Sequence, residues 1–202
     1  MQIIRNSSEA EMILAFLQGE LQSKRFSEKI KNALADLNLN SDIIIYGNIN
    51  AEYENKKRAF LMQKFRGYPD KELFNNFPKN IDWKYAKLAK NDINNIYYIN
   101  YSYWNELSGG TSKPLDAAKT IKMGKEIFGV SNKPFISGAD YIINHKFPPV
   151  ILLTYNTEKY VIIEGHSRMT VYGLLPEKIE GSYAYIGFVS KEEMELYDKR
   201  ML

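Results

Sequence analysis

Cysteine is absent from the 202-residue chain, and histidine occurs only twice, as His145 and His166. The absence of thiols excludes disulfides, thiolate nucleophiles and cysteine-based metal sites. Two histidines are too few for a histidine-built zinc site without carboxylate help. No apolar run approaches the ~20 residues that a membrane-spanning helix needs, and MQIIRNSSEAEM lacks the apolar core of a signal peptide. We therefore expect a cytoplasmic protein that has no contact with a membrane.

The chain also carries little net charge. Its 27 basic and 24 acidic side chains give a net charge of +3 at pH 7. Dedicated nucleic-acid binders concentrate basic residues on one face or segment. Lys56, Lys57 and Arg58 form a short basic run, which Lys64 and Arg66 extend. Glu52 and Glu54 precede this run, which predicts a solvated helix face of mixed charge. Nucleic acid is therefore a disfavoured partner, kept only as an alternative.

Helix signals dominate the first 80 residues. Ser8 and Glu11 have the spacing of a capping box, and a second helix start lies at Ser27. The segment AEYENKKRAFLMQKFRG has helical character and stops at Gly67. The short apolar run DIIIYG predicts a strand over residues 42–47. We expect residues 1–80 to form a mainly helical region packed on the rest of the chain.

Strand and helix signals alternate towards the end of the chain. VILLTY and KYVIIE flank a short turn and predict a hairpin. HSRMTVYGLL predicts a helix, SYAYIGFV a strand, and SKEEMELYDK a last helix capped by Ser190 and Glu193. NNIYYINYSYW has a β-rich composition. The sequence thus predicts an α/β (α+β) fold, in which residues 81–202 form a small mixed-sheet domain.

The junction between the second hairpin strand and the next helix groups residues suited to an anion. A helix N-terminus presents unpaired N–H groups and partial positive charge. Gly165 would let a phosphate approach the main chain, Arg168 would clamp it, and His166 and Ser167 would add donors. Glu164 is a candidate general base or metal-site residue. The alternative is a structural turn in which Arg168 bridges to a nearby carboxylate.

The same stretch resembles a known superfamily. PPVILL, a turn and YVIIEGHSRMTVYGL are similar to the core of the ParB/sulfiredoxin-like proteins, and residues 136–175 carry the likeness. In that superfamily a Gly-x-x-Arg turn binds nucleotide phosphates. The acid-Gly-His-His-Arg motif of its free-serine kinase branch is the closest pattern to Glu164–Arg168. The resemblance implies a small mixed-sheet domain that binds ATP, ADP or CTP with Mg²⁺, and a catalytic role for Glu164 and His166.

Two departures narrow what the resemblance implies. The sulfiredoxin reaction needs a thiolate, and this chain has no cysteine. No helix-turn-helix pattern of the kind that gives ParB its DNA specificity follows the motif. The ParB branch therefore implies nucleotide binding at most.

A second glycine-rich segment lies upstream, in NYSYWNELSGGTSKPLDAAKTI. Its spacing is not that of a Walker A loop, but Thr111 and Lys113 before the helix that starts near Pro114 are candidate phosphate contacts. Bacterial proteins with a similar aromatic-Trp-x-x-Leu-Ser-x-Gly-Thr pattern also carry a Glu-Gly-His-x-Arg motif, which implies a paired site. The alternative is a capped connecting loop.

Three functional hypotheses follow. The first is an ATP- or ADP-dependent phosphotransferase acting on a small hydroxyl compound, with Gly165, His166, Ser167 and Arg168 on the phosphates. The second is a non-catalytic nucleotide-binding regulatory module. The third is a ParB-like nuclease or DNA-binding protein. For His145 the sequence favours a structural place at a helix C-terminus.

Overall fold

A mixed β-sheet lies at the centre of the fold. The computed structural model describes residues 1–23 and 25–202, and within them six strands pair in the order β1–β2–β6–β4–β5–β3. The β4–β6 and β3–β5 pairs are parallel and the remaining pairs antiparallel. The strands are β1 (Gln2–Asn6), β2 (Asp82–Lys87), β3 (Ile96–Tyr97), β4 (Val150–Thr154), β5 (Tyr160–Glu164) and β6 (Tyr183–Phe188). The predicted α/β class and the β4–β5 hairpin are confirmed.

Helices cover both faces of this sheet. They are α1 (Glu9–Gln22), α2 (Ser27–Asp36), α3 (Asp42–Ile45), α4 (Glu52–Arg66), α5 (Ser102–Leu107), α6 (Pro114–Lys122), α7 (Lys133–Asn144), α8 (His166–Leu174) and α9 (Lys191–Tyr197). Short 3₁₀ turns occur at Glu72–Phe74, Lys90–Asn95, Pro176–Ile179 and Lys199–Met201. None of the helices described is long and apolar enough to cross a bilayer.

The central strand β4 is buried at every position, and its first four residues are apolar. Ile151 and Leu153 pack in a cluster with α1, α2 and α4. Val150 and Leu152 pack on the opposite face with residues of α6, α7 and α8. A strand buried on both faces loses the alternation of apolar and polar residues. The sheet is therefore sandwiched between an N-terminal helical layer and a second layer that carries α8.

Several predicted helix boundaries are confirmed. Ser8 Oγ accepts a hydrogen bond from the Glu11 backbone N–H at 3.2 Å and caps α1. Ser190 and Glu193 form the capping box of α9. Gly67, with a φ of 73°, ends α4 in the left-handed conformation. His145 is the C-terminal cap residue of α7, where its ring stacks on Tyr141 at 4.4 Å.

Two predictions from local sequence were wrong. Residues 42–45 form the short helix α3, because Asn40 Oδ1 accepts from the Asp42 backbone N–H at 2.9 Å and starts a turn there. Arg58 does not lie on a solvated face: it is fully buried, with an ion pair to Glu54 at 2.9 Å and a hydrogen bond to the Ile43 carbonyl at 2.8 Å.

The N-terminal region also supplies a strand that the sequence did not reveal. All five residues of β1 are exposed, so the segment has no apolar alternation to mark it. β1 pairs with β2 and, among the strands that the structure describes, lies at the edge of the sheet. Residues 1–80 thus contribute both an edge strand and a helical layer to the fold.

Candidate functional site

The junction of β5 and α8, residues 164–168, is called the corner below, and its backbone conformation requires Gly165. Its φ of 101° and ψ of 20° lie in the left-handed region that favours glycine. A Cβ at this position would meet Val150 Cγ1 at 2.6 Å, so a side chain would also collide with β4. The missing side chain therefore lets α8 start directly at the end of β5 and places His166, Ser167 and Arg168 in its first turn.

Arg168 links the corner to the segment before β4. Its Nη1 donates to the carbonyls of Pro148 and Pro149 at 2.7 and 2.6 Å, just before β4 begins. Its Nη2 forms an ion pair with Glu164 Oε2, and the two side chains are only 13% and 15% exposed. Burial lowers the pKa of the Arg168 guanidinium to about 10. The bridge from Arg168 to a carboxylate, which the sequence offered as the structural alternative, is present.

His166 is held by aromatic stacking. Its ring lies 5.3 Å from the Trp104 ring and 6.1 Å from the Tyr98 ring, nearly parallel to both. Its Nε2 is buried and has no hydrogen-bond partner among the described residues. Burial, with a smaller contribution from the charge of Arg66, lowers the pKa of His166 to about 3. The imidazole is therefore neutral at pH 7 and offers a hydrogen bond rather than a positive charge.

These side chains line one wall of a cavity of about 700 Å³ between the corner and the N-terminal helices. The opposite wall comes from α1, α2, the end of α4 and the first 3₁₀ turn. The first turn of α8 has no side-chain cap and borders this space. Aromatic residues also line it, namely Phe26, Tyr101, Trp104 and Phe147. The cavity thus combines a helix N-terminus with an aromatic lining.

The N-terminal helices bring charged groups that the sequence reasoning did not assign to the site. Arg25, Lys29 and Arg66 line the cavity together with Glu20 and Glu72. Arg66 Nε lies 4.0 Å from Glu20 Oε1. Burial raises the pKa of Glu20 to about 7, although the neighbouring arginines oppose the shift. A partly protonated Glu20 leaves the lining with an excess of positive charge.

Two features of the α1 sequence could have indicated that this helix lines the cavity. Gly19 lies inside a helix, where glycine costs ~1 kcal/mol relative to alanine. A Cβ at Gly19 would lie 3.2 Å from both Arg168 Nη2 and Glu164 Cδ, so α1 packs directly on the ion pair. Glu20 follows the core residues Phe16 and Leu17 by four and three positions, which puts a carboxyl on the apolar side of the helix.

The cavity collects polar atoms that have no partner. Among the described residues, seven buried side-chain N or O atoms lack a hydrogen bond, and four of them belong to residues lining this cavity. These four are Arg66 Nε, His166 Nε2 and the two atoms of the ion pair, Glu164 Oε2 and Arg168 Nη2, so that only Arg66 Nε and His166 Nε2 remain without a close partner. Buried polar groups are normally hydrogen-bonded. Arg66 Nε and His166 Nε2 therefore leave two hydrogen-bonding positions unused at the cavity.

Thr111 and Lys113 do not join this group. Thr111 Oγ1 donates to Asp116 Oδ2 at 2.8 Å, and Lys113 Nζ lies 5.2 Å from the centre of the Tyr97 ring. Lys113 borders a separate depression of about 400 Å³. The segment reaches the main cavity through Tyr101 and Trp104 instead. The structure therefore brings Glu164, Gly165, His166, Ser167 and Arg168 together, but does not place Thr111 or Lys113 beside them.

The lining does not fit a metal ion held by the protein alone. Over residues 1–23 and 25–202, no cluster of three or more histidine, aspartate or glutamate side chains has the arrangement of a metal site. A divalent cation would have to arrive with phosphate oxygens of a ligand.

Neither the protein-family models, nor the curated proteins, nor the solved structures compared with this chain gave a match. The resemblance to the ParB/sulfiredoxin-like superfamily stays a prediction.

Proposed function

We propose that the chain binds a nucleotide in the 700 Å³ cavity, with its phosphates at the first turn of α8. The observation that carries the proposal is the meeting of two buried nitrogens that lack a hydrogen bond, Arg66 Nε and His166 Nε2, with an uncapped helix N-terminus. Helix N-termini of this kind bind phosphate through their N–H groups and their dipole. The resemblance of Gly165–Arg168 to a Gly-x-x-Arg phosphate turn supports the same placement.

The basic side chains add to the phosphate end. Arg66 Nε is buried without a hydrogen bond, so a phosphate oxygen would satisfy it. Arg25 and Lys29 are more exposed and lie at the rim, where they would attract an anionic ligand. Arg168 Nη1 donates to two proline carbonyls, and Arg168 Nη2 pairs with Glu164. A phosphate would therefore compete with Glu164 for Nη2.

The aromatic lining suits the base of a nucleotide. Trp104 is partly buried and stacks on His166, and Tyr101 and Phe26 lie across the same space. Base stacking on an aromatic side chain contributes ~1–3 kcal/mol per base. A volume of about 700 Å³ falls in the range of small-molecule sites.

A phosphotransferase acting on a small hydroxyl compound remains the reaction that we favour for this site. A phosphate that draws Arg168 away from Glu164 would free the carboxylate to accept the proton of an acceptor hydroxyl. Mg²⁺ carried by the nucleotide would supply the charge neutralisation that phosphoryl transfer needs. The regulatory alternative shares the binding site and differs only in lacking turnover.

Lys29 and Lys31 offer a matched pair for testing the binding site. Both are exposed lysines of α2, but only Lys29 lines the cavity. We expect Lys29→Ala to weaken nucleotide binding about fivefold, because a unit charge pair at ~4 Å in water is worth ~1 kcal/mol. Lys31→Ala should leave the affinity unchanged. The measurement is calorimetric titration with ATP, ADP and CTP, with and without Mg²⁺.

Two results would count against the proposal. Absence of binding by all three nucleotides to the wild-type chain would remove it. Equal effects of Lys29→Ala and Lys31→Ala would mean that a bound nucleotide lies elsewhere. If binding occurs as expected, phosphate release and transfer assays on the same samples separate the phosphotransferase from the regulatory module.

A further inference from the structure

Glu20 places a buried carboxyl at the cavity. The residue lies in the last turns of α1, is only 5% exposed and lines the space beside the corner. Arg66 Nε lies 4.0 Å from Glu20 Oε1, a separation too long for a hydrogen bond. A negative charge on Glu20 therefore has a nearby cation but no close donor from that guanidinium.

The titratable groups around Glu20 come from every neighbouring element, and four of the six charged ones are positive. Each either lines the same cavity or acts electrostatically on the Glu20 carboxyl. The cations are Arg25 before α2, Lys29 of α2, Arg66 of α4 and Arg168 of α8; the other titratable groups are Glu72, Tyr101, Glu164 and the neutral His166. Glu164 already pairs with Arg168, which leaves Arg66 as the cation nearest to Glu20.

An anionic ligand at this place would compete with Glu20 for Arg66. A second negative charge beside the buried Glu20 carboxyl repels it, which raises the pKa of the weaker of the two acids. Burial has already raised the pKa of Glu20 to about 7, so little further change is needed to protonate it. A phosphate, whose first ionisation is strong, would keep its charge.

We infer that Glu20 couples occupancy of the cavity to a proton, so that a phosphate-bearing ligand binds beside Arg66 together with one proton on the Glu20 carboxyl. The inference rests on the proposed function for the place of the phosphate and adds the residue that sets the pH range of binding. Binding that takes up a proton weakens as pH rises. The wild-type affinity should therefore fall above about pH 7, by up to about tenfold per pH unit.

Glu20→Gln separates this coupling from other titrations. Glutamine has the shape of the protonated carboxyl and cannot ionise, so the variant should keep its affinity above pH 7. The terminal phosphate of a nucleotide itself titrates, as phosphate monoesters do with a second pKa of about 6. That contribution is common to the wild type and the variant and cancels in their difference. Glu28→Gln on α2 is the control, since the Glu28 side chain is 80% exposed.

The experiment is calorimetric titration with ADP at about pH 6.5 and about pH 8.5, in buffers of different ionisation enthalpy that reveal the protons taken up. We expect the wild type and Glu28→Gln to take up about one proton more than Glu20→Gln at the higher pH, and to bind at least about fivefold more weakly than it there. ADP binding with equal proton uptake in all three proteins would overturn this inference alone. No binding of ADP, ATP or CTP by wild type or Glu20→Gln at either pH would overturn the proposed function as well.

Discussion

Two separate constraints, backbone conformation and space, favour glycine at position 165. A comparison with Gly110 can separate their contributions to stability. Both have positive φ, 101° at Gly165 and 85° at Gly110. A Cβ at Gly165 would meet Val150 Cγ1 at 2.6 Å, whereas nothing lies within 4 Å of a Cβ at Gly110. Gly165→Ala should therefore lower the free energy of unfolding by ~1–2 kcal/mol, because alanine is strained in the left-handed conformation, and by a further ~1–3 kcal/mol, because the added methyl group overpacks against Val150. Gly110→Ala should lose only the first amount.

Urea unfolding of the two variants measures both losses. Equal destabilisation would show that Val150 yields to the added methyl group and that only the backbone conformation requires glycine at position 165. The comparison also bears on the phosphate-binding role that the sequence predicts for this turn. The sequence assigned Gly165 to close approach by a ligand, but the side of the glycine that a Cβ would occupy faces β4.

The sequence identified the site residues that lie next to one another in the chain. It missed those that reach the cavity through packing of distant segments. Glu164 to Arg168 are contiguous, so a strand end followed by a helix start is enough to bring them together. Glu20 and Arg66 reach the cavity only because α1 and α4 pack over the sheet. That packing depends on contacts far apart in the chain, which local patterns do not record. The glycine within α1 was the available sign that something approaches this helix closely.

The junction of β5, α8 and the segment before β4 is stabilised by one guanidinium. Arg168 binds two proline carbonyls and pairs with Glu164. Arg168→Ala should destabilise the fold by about 3 kcal/mol, because it leaves the Glu164 carboxylate without its partner in a largely buried place. Arg5→Ala is the control, since Arg5 pairs with Glu11 but is 46% exposed, and it should cost less than about 1 kcal/mol.

Chemical denaturation of Arg168→Ala, Glu164→Gln and the double variant tests this argument through the coupling energy. The double variant should be more stable than the sum of the two single losses indicates. Strict additivity, or an Arg168→Ala loss no larger than that of Arg5→Ala, would mean that the contact contributes nothing to the fold. A structural loss of this size is also why Lys29, rather than Arg168, is the variant that tests nucleotide binding.

Secondary structure could be predicted wherever a local rule decides it. The caps of α1 and α9 and the β4–β5 hairpin depend on residues within a few positions of one another. β1 and β2 were not recognised, because β1 is exposed at every position and its pairing with β2 joins segments about 80 residues apart. Residues 42–45 have a strand-like composition, but the turn at Asn40 and the burial of Ile44 favour a helix there.

The two helical layers make the sheet the common core of the whole chain. Alternate residues of β4 and β5 face opposite layers, so each strand contributes to both apolar clusters. The cavity lies where the N-terminal layer meets the edge of the sheet at the start of α8. Residues 1–80 therefore have two roles: they bury one face of the sheet, and they supply the basic wall of the proposed site.

This arrangement predicts that residues 81–202 do not fold alone. Without residues 1–80, Ile151, Leu153, Val161 and Ile163 would face water, although each is at most 1% exposed in the full chain. Burial of such a side chain contributes ~1.5–3 kcal/mol, so the four together rival the ~5–15 kcal/mol that stabilises a typical domain. Strand β2 would also lose its neighbour β1. A fragment of residues 81–202 should bind a dye for exposed apolar surface and unfold without a cooperative urea transition, whereas the full chain shows one. A sigmoidal transition of the fragment with the full-chain near-ultraviolet circular dichroism would show instead that the 81–202 region is an independent domain.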